Sequence, residues 1–352
     1  MSSQIWSTAA IIPETGSAVT IVFNTNGYPF EYKPGQFINI TLEINGAPVT
    51  RSYSLSSLPG EDARPSVTVK KIKGGVMSSY IVDNASLIQH WQVTGPFGSF
   101  TPAPGTYHKD HVVLLAGGSG ISPLFSIARS VINTSQHTAV TLIYSSRTKE
   151  EIIFRETIEK WATRHQGRVN VYHAISQPGD NDVTHPAVIK GRINKLVTRK
   201  LIKSIVGDAI DAAHYFLCGP AELMKMHKDM LEAQQVQDDN IYMEWFAPGQ
   251  EADHDSLPGN MQEVLLHFFE QSNLLEVHPG KSILAAALEE KIPLPYSCKS
   301  GTCGRCAARL TSGKVNMTGN YALRKPDLEA GLILLCQSYP VTDDVTVEID
   351  WE

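Results

Sequence analysis

The sequence predicts a multidomain protein: an antiparallel β-barrel, then a doubly wound parallel α/β sheet, then a small C-terminal domain. Three observations predict this. Short runs rich in β-branched residues at 19–23, 37–42 and 67–72 are separated by the turn signals Pro34-Gly35, Asn45-Gly46 and Pro59-Gly60, the pattern of a small barrel. From His111 onward continuous apolar runs alternate with helical stretches, which argues buried parallel strands with crossover helices. A stretch rich in Pro, Gly and acidic residues at 247–260 has no periodicity and reads as a linker. The expected boundaries are 1–106, 107–246, the linker at 247–260, and 261–352. A chain of 352 residues gives each part enough length for its own core.

Within the barrel region, R-S-Y-S at 51–54 places Arg51 and Tyr53 on one face of an extended strand, because side chains alternate with period two. That face offers a cation to a phosphate and a ring to a flat cofactor, although an ordinary surface strand has the same pattern. Next, K-G-G-V-M-S-S-Y-I at 73–81 puts Gly75, Val76, Met77 and Ser78 at a helix start. Amides and helix dipole there suit an anion; the plainer reading is a loop entering a helix with Ser78 near its cap. Gly95-Pro96-Phe97-Gly98 reads as a turn near the barrel's end.

In the second region V-V-L-L-A from Val112 runs directly into G-G-S-G-I-S-P. Strand, glycine turn and helix with Pro123 in its first turn is an arrangement that binds dinucleotide phosphates, here without the full G-x-G-x-x-G fingerprint. Further strands are expected at 139–144, 169–175 and 215–218, and helices at 150–164, 195–205 and 221–231. Ligands in such sheets sit at the carboxyl ends of the strands. Gly118 and Gly120, Ser146 and Arg147, and Cys218-Gly219-Pro220 fall there. Cys218 closes an apolar strand, either as an inert buried thiol or as a residue beside the nicotinamide. Ser145, Ser146 and Arg147 offer hydroxyls and a cation with no acid for a ribose hydroxyl, which leans toward a 2′-phosphate.

The strongest motif is P-Y-S-C-K-S-G-T-C-G-R-C at 295–306, completed by Cys336. Cys298, Cys303 and Cys306 have the C-x4-C-x2-C spacing of a plant-type 2Fe-2S loop, whose fourth thiolate arrives from a distant segment. Gly301 and Gly304 let that loop fold back. Five cysteines and a start, MSSQIWSTAA, without a basic-then-apolar run argue against a secreted disulfide framework. No second Cys or His knuckle follows to complete a zinc site. Around the loop, a hairpin is expected at 262–269 and 274–277, a short helix at 282–290, and strands at 307–310 and 345–349.

A formal charge of −6 argues against nucleic acid as a partner. No apolar run approaches the roughly 20 residues that span a bilayer. The reading is a protein of the reducing cytoplasm. From Met261 on there are 8 Lys and Arg against 12 Asp and Glu, so an acidic face that steers a basic partner is one expectation.

Taken together, R-S-Y-S, G-G-V-M-S-S, G-G-S-G-I-S-P, C-G-P and M-E-W-F resemble, in the family's order, the ferredoxin-NADP reductase superfamily joined to a C-terminal plant-type ferredoxin. The resemblance implies a flavin-binding barrel, a nicotinamide-binding α/β domain and a β-grasp ferredoxin. It implies that Arg51 meets the flavin phosphate, Tyr53 the isoalloxazine and Ser54 the region of flavin N5, with 75–78 at the pyrophosphate and Phe246 over the other flavin face. It further implies that Glu244 and Cys218 line the hydride-transfer site. G-P-F-G and the aromatic after Glu244 resemble FAD-binding members rather than FMN-binding ones, although Trp245 departs from the more familiar residue. M-T-G-N-Y-A-L at 317–323 and L-C-Q-S-Y-P at 335–340 resemble the reductase components of phenylacetyl-CoA epoxidase and ketosteroid hydroxylase, with the hybrid-cluster protein reductase a near relative. The implied activity carries electrons from NADH or NADPH through FAD and the cluster to a partner oxygenase. A free-standing flavin or quinone reductase and a redox sensor are the alternatives.

Overall fold

In the computed structural model, which describes residues 3–179, 187–246, 259–323 and 325–349, six antiparallel strands open the chain. These are β1 (Gln4–Thr15), β2 (Ala18–Asn24), β3 (Phe37–Ile44), β4 (Ala47–Ser54), β5 (Ser66–Lys70) and β6 (His90–Phe97), in the order β4-β3-β6-β1-β2-β5. An antiparallel bridge between Leu55 and Val67 brings the two terminal strands together at one end, so the sheet curls into a partly closed barrel. Trp6, Phe23, Ile38, Ile40 and Trp91 fill the interior, and helix α1 (Val76–Asn84) adds Met77 and Ile81. The expected strands are present, but β1 escaped notice because most of it is partly exposed and its apolar residues do not alternate. One expectation is corrected. Gly95-Pro96-Phe97 is no turn but the end of β6, where the register against β3 shifts and Gly95 lies tight on Ile38.

The parallel sheet follows, built from β7 (His111–Gly117), β8 (Ala139–Ser146), β9 (Val169–Ile175), β10 (Val188–Lys190), β11 (His214–Cys218) and β12 (Ile241–Glu244). Its order, β10-β9-β8-β7-β11-β12, reverses between β7 and β11 and so makes a switch point there. The continuous apolar run of β7 is explained by burial on both faces. Val112, Leu114 and Ala116 enter one core with helices α2 (Ile121–Thr134) and α3 (Arg155–Arg164); Val113 and Leu115 enter the other with α4 (Lys195–Val206) and α5 (Ala221–Glu232). The helix expected at 150–164 begins only at Arg155, because Phe154 takes a left-handed φ of 60° and ends the preceding turn.

Barrel and sheet belong to one unit, Met1–Phe246, and meet through buried polar contacts. Arg129 on α2, 9 % exposed, donates to both carboxylate oxygens of Asp62 at 3.1 and 2.7 Å and to the carbonyl of Ser56. Ser126, one turn earlier, donates to the carbonyl of Ser57 at 2.7 Å. Lys70 pairs with Glu151 at 3.1 Å. Glu14 accepts from the Phe154 amide and from Thr20, and burial raises its carboxyl above the usual range against those two bonds.

The second unit spans Ala247–Glu352; the expected linker, apart from residues 259 and 260, lies outside the described residues. Its mixed sheet holds β13 (Gln262–Phe268), β14 (Gln271–Val277), β15 (Ala307–Ser312), β17 (Leu332–Leu334) and β19 (Val345–Ile349) in the order β14-β13-β19-β15-β17. Helix α6 (Ile283–Glu289) packs its Ile283, Leu284, Ala286 and Ala287 into the sheet's core, and the Ser282 hydroxyl caps it by accepting from the Ala285 amide. A small ladder of β16 (Val315–Met317) with β18 (Ser338–Pro340) stands beside it, and a short helix α7 (Lys325–Glu329) precedes β17. No helix among the described residues is long and apolar enough to cross a membrane.

Arg129→Ala leaves the Ser56 carbonyl and the Asp62 carboxylate without their charged donor, a loss of about 2–3 kcal/mol. Urea unfolding followed by tryptophan emission measures it, because Trp6, Trp91 and Trp161 all lie in this unit. An unchanged midpoint would show that the ion pair does not hold barrel and sheet together.

Candidate functional site

The carboxyl ends of β4 and β12 meet inside the first unit. The Ser54 hydroxyl donates to Glu244 Oε2 at 2.8 Å, and both side chains are buried. Parallel register sets Glu244 directly beside Cys218. Burial pushes the Glu244 carboxyl up to about 8, with the Ser54 hydrogen bond opposing it, so at neutral pH it holds its proton. Burial also raises the Cys218 thiol, and Glu244 adds to the rise. A fully buried thiol of that kind is no nucleophile. It is a neutral wall next to a proton-holding carboxyl. The structure thus brings Ser54, Glu244 and Cys218 together, from segments that are far apart in sequence.

Arg51 and Tyr53 stand on the same strand nearby. Arg51 is exposed and donates only locally, to the Thr50 carbonyl at 2.7 Å. Tyr53 is half-buried against the barrel core, and burial raises its phenol against the pull of Arg51. Gly75 is the N-terminal boundary of α1, with Val76 exposed and Met77 and Ser78 buried. Ser78 does not cap the helix. Its hydroxyl accepts from the Ile72 amide at 3.2 Å and approaches the Gly75 carbonyl, which fixes the loop and leaves the first-turn amides to an outside acceptor. Phe246 is 44 % exposed at the end of the unit.

At the switch point the loops after β7 and β11 touch backbone to backbone. A Cβ on Gly120 would collide with the Cys218 carbonyl, and one on Gly117 would lie 2.7 Å from Pro220 Cδ; this is why glycine is required there. Gly118 is held by its carbonyl, which accepts from the buried Tyr144 hydroxyl at 2.9 Å, and Gly219 packs on Gly117. Pro123 is buried in the first turn of α2. Ser122, next to it, was missed by sequence reasoning although it lies inside G-G-S-G-I-S-P. Its hydroxyl and that of Ser145 are buried with no hydrogen-bond partner. Such orphans call for a ligand that supplies one, and a dinucleotide laid across the carboxyl ends fits. Ser146 lies beside the Tyr144 hydroxyl. Arg147 is exposed and shares Glu151 with Lys70, at 3.7 Å.

In the second unit the four predicted cysteines converge, all as free thiols. Cys298 lies against Cys303 and Cys336, and Cys336 against Cys306. The four sulfurs stand in one row of neighbours, and with the C-x4-C-x2-C spacing they form the donor set that a 2Fe-2S cluster takes. Amides already point at the sulfurs: those of Ser300 and Thr302 donate to Cys298 Sγ at 3.4 and 3.3 Å, and that of Arg305 to Cys303 Sγ at 3.5 Å. Such donors stabilise thiolate and cluster charge. The loop reaches this shape through Gly301, at φ 75°, where a Cβ would press on the Gly319 carbonyl at 2.7 Å. Cys336 is brought in by the Leu335 amide, which donates to the Cys306 carbonyl. Gln337, also missed, ties the Lys299 carbonyl to this segment at 3.1 Å.

Comparison with known proteins matches this geometry. Residues 16–101 match the oxidoreductase FAD-binding domain, 114–229 the oxidoreductase NAD-binding domain, and 269–341 the 2Fe-2S iron-sulfur cluster binding domain. The chain is 32% identical to a component of the 1,2-phenylacetyl-CoA epoxidase of Escherichia coli (strain K12), covering 97% of this chain and 96% of that one. It is also 32% identical to the ferredoxin reductase component of 3-ketosteroid-9-alpha-monooxygenase from Rhodococcus rhodochrous, covering 98% and 97%. Phthalate dioxygenase reductase superposes with a TM-score of 0.60 at 22% identity, over 99% of this chain and 98% of that one. An intact type IV self-sufficient cytochrome P450 monooxygenase gives 0.73 at 21%; this chain is covered to 99% and spans 41% of that longer one. The structural likenesses establish the fold, and the full-length sequence relatives establish the kinship. The chain belongs to the ferredoxin-NADP reductase superfamily, as an oxidoreductase with an FAD-binding barrel, an NAD-binding α/β domain and a C-terminal 2Fe-2S ferredoxin domain.

Proposed function

We propose that this protein is the NAD(P)H-oxidising reductase component of a multicomponent oxygenase, with a terminal oxygenase protein as electron acceptor. The observation that carries this is the separation of two sites on one chain: a buried proton-holding site at Ser54 and Glu244, and a four-thiol site in another unit. When bound, FAD takes up hydride and releases electrons singly, and the cluster carries them one at a time. The relatives whose names concern phenylacetyl-CoA and a ketosteroid act on unlike molecules, which supports a reductase that reads its partner protein rather than the final substrate.

The boundaries proposed are 1–106 for the FAD domain, 107–246 for the NAD(P) domain, 247–260 for the linker and 261–352 for the ferredoxin. Arg51 and the amides of 75–78 would hold the flavin phosphates, while Tyr53 and Phe246 would flank the ring. Ser122, Ser145 and the amides around Gly118 and Gly120 would take the dinucleotide. Ser54 and Glu244 hold a proton at the hydroxyl and carboxyl oxygens, the buried Cys218 stands beside Glu244, and Gly219 and Pro220 would line the dinucleotide. Cys298, Cys303, Cys306 and Cys336 would hold the cluster. A cysteine-held iron-sulfur site supports the reducing cytoplasm as the setting.

Cys336→Ser replaces a thiolate with a hydroxyl that suits iron poorly. Reduction of ferricyanide by NAD(P)H is expected to persist, while reduction of cytochrome c or of the oxygenase falls at least about tenfold, since the remaining path lacks the positioned carrier. Undiminished oxygenase turnover would mean that electrons leave from the flavin. Arg147→Ala, by removing a guanidinium from the end of β8, should raise the KM for NADPH by about tenfold and leave that for NADH nearly unchanged; equal effects refute a role in reading a 2′-phosphate. A Glu244→Gln variant addresses the proton. Since the folded carboxyl titrates near 8, above its ordinary value, the protonated form and the stability it brings are fully present at low pH. Both are lost as pH rises through about 8. The parent rate of flavin bleaching by NAD(P)H should decline across that same window. Glutamine should lower the rate by about 10²-fold and abolish the decline; persistence of the decline would assign it to another group.

A further inference from the structure

The second unit is acidic as a whole, yet its charge is sorted along the chain. Of the eight Lys and Arg from Met261 to the C-terminus, seven lie between residues 291 and 325, and none of the twelve Asp and Glu does. That interval carries three of the four cluster cysteines and the segment packed on their loop: the Tyr321 amide donates to the Gly301 carbonyl at 3.0 Å, and Ala322 lies against Gly304. Lys299, between two cluster ligands, is exposed, and its ammonium stands 4.7 Å from the ring centroid of Tyr296, itself 41 % exposed. Lys291 is exposed as well, whereas Lys314 lies near Asp344 and Arg309 stands opposite Glu348 across the sheet, so Lys299 is the cation that the loop itself presents. Acidic residues bound the interval on either side, with Glu289 and Glu290 ending α6 and Asp327 and Glu329 on α7; Glu289 is occupied by Lys281 at 2.6 Å.

Which charge governs an encounter is decided by range. At physiological salt the Debye length is about 8 Å, so an approaching protein senses the face it meets and not the chain's net −6. We propose that the cluster-bearing face of this ferredoxin domain is a docking surface for an electron-accepting protein whose own docking face is acidic, with the amphipathic Tyr296 and the cation Lys299 at its centre. This reverses the expectation drawn from the net charge of the domain. An exposed aromatic beside fixed cations is the composition of a recognition patch, since tyrosine and cations supply contact area and steering together. The inference rests on the proposed reductase function and specifies the partner of that same site.

The experiment uses the full chain, loaded with FAD and cluster, and two one-electron haem proteins of opposite surface charge: cytochrome b5, which is acidic, and cytochrome c, which is basic. In stopped flow, the cluster is first reduced with NAD(P)H and its reoxidation is followed. Cytochrome b5 should react faster, and its rate should fall at least about tenfold between about 0.01 M and about 0.1 M salt, as steering is screened. A titration calorimetry series should show its affinity weakening over the same range. Lys299→Glu should slow cytochrome b5 about tenfold and speed cytochrome c, while cluster reduction by NAD(P)H keeps its parent rate; Lys281→Glu, an equal charge change elsewhere on the domain, should do neither. Faster reaction with cytochrome c, or rates indifferent to both salt and Lys299, overturns the proposal. So does a Lys299→Glu effect confined to cluster reduction, which would assign this face to the chain's own flavin-bearing unit. A cluster that is never reduced by NAD(P)H would instead refute the reductase function on which the inference rests.

Discussion

The guanidinium of Arg129 is the constraint from which the first unit's geometry follows. It lies in α2, a helix of the parallel sheet, yet its hydrogen bonds end on Asp62 and Ser56 of the barrel. A cation so placed is costly unless it is paired; the two bonds to one carboxylate and one to a carbonyl offset that cost and fix angle as well as distance, while Nε has no partner. Once α2 is held to the 56–62 loop, Ser57 and Ser126 follow, and the end of β4 can come to rest on the end of β12. The meeting of Ser54 with Glu244 is therefore a product of the seam. Neither residue has any local reason to find the other.

Close backbone approach is the second organising element, and it recurs in both units. Gly120 against Cys218 and Gly301 against Gly319 leave no room for a side chain. In the first case the contact brings two strand ends near enough to share one ligand. In the second it turns a cysteine loop so that amides face sulfur. Substituting alanine at either position forces main chain apart rather than merely crowding a rotamer.

Much of this was legible from the residues alone. The run V-V-L-L-A announced a strand buried on both faces because no polar position interrupts it, and the spacing of Cys298, Cys303 and Cys306 can hardly be satisfied by another site. Local signals failed where tertiary contacts decide. Gly95-Pro96-Phe97 has the composition of a turn and becomes a strand end because β3 pairs with it. Ser78 has the position of a cap and instead ties its own loop. The buried, unpartnered hydroxyls of Ser122 and Ser145 are invisible in a sequence, since only the folded surroundings reveal that nothing answers them. Family resemblance implied a place for Ser54 near flavin N5 and for Glu244 at the hydride-transfer site, but their hydrogen bond to each other appears only in the fold.

The Tyr144 hydroxyl has an effect beyond its own packing. It donates to the Gly118 carbonyl and accepts from the Ile153 amide, so a glycine turn with every freedom to wander is clamped from beneath by a fully buried ring. Its amides are held in one orientation before any nucleotide arrives. A loop frozen during folding has no disorder left to surrender on binding, and the free energy of association is then spent on contacts rather than on ordering the host. Under the proposed nucleotide site, recognition at this loop would be closer to a rigid socket than to a closing hand.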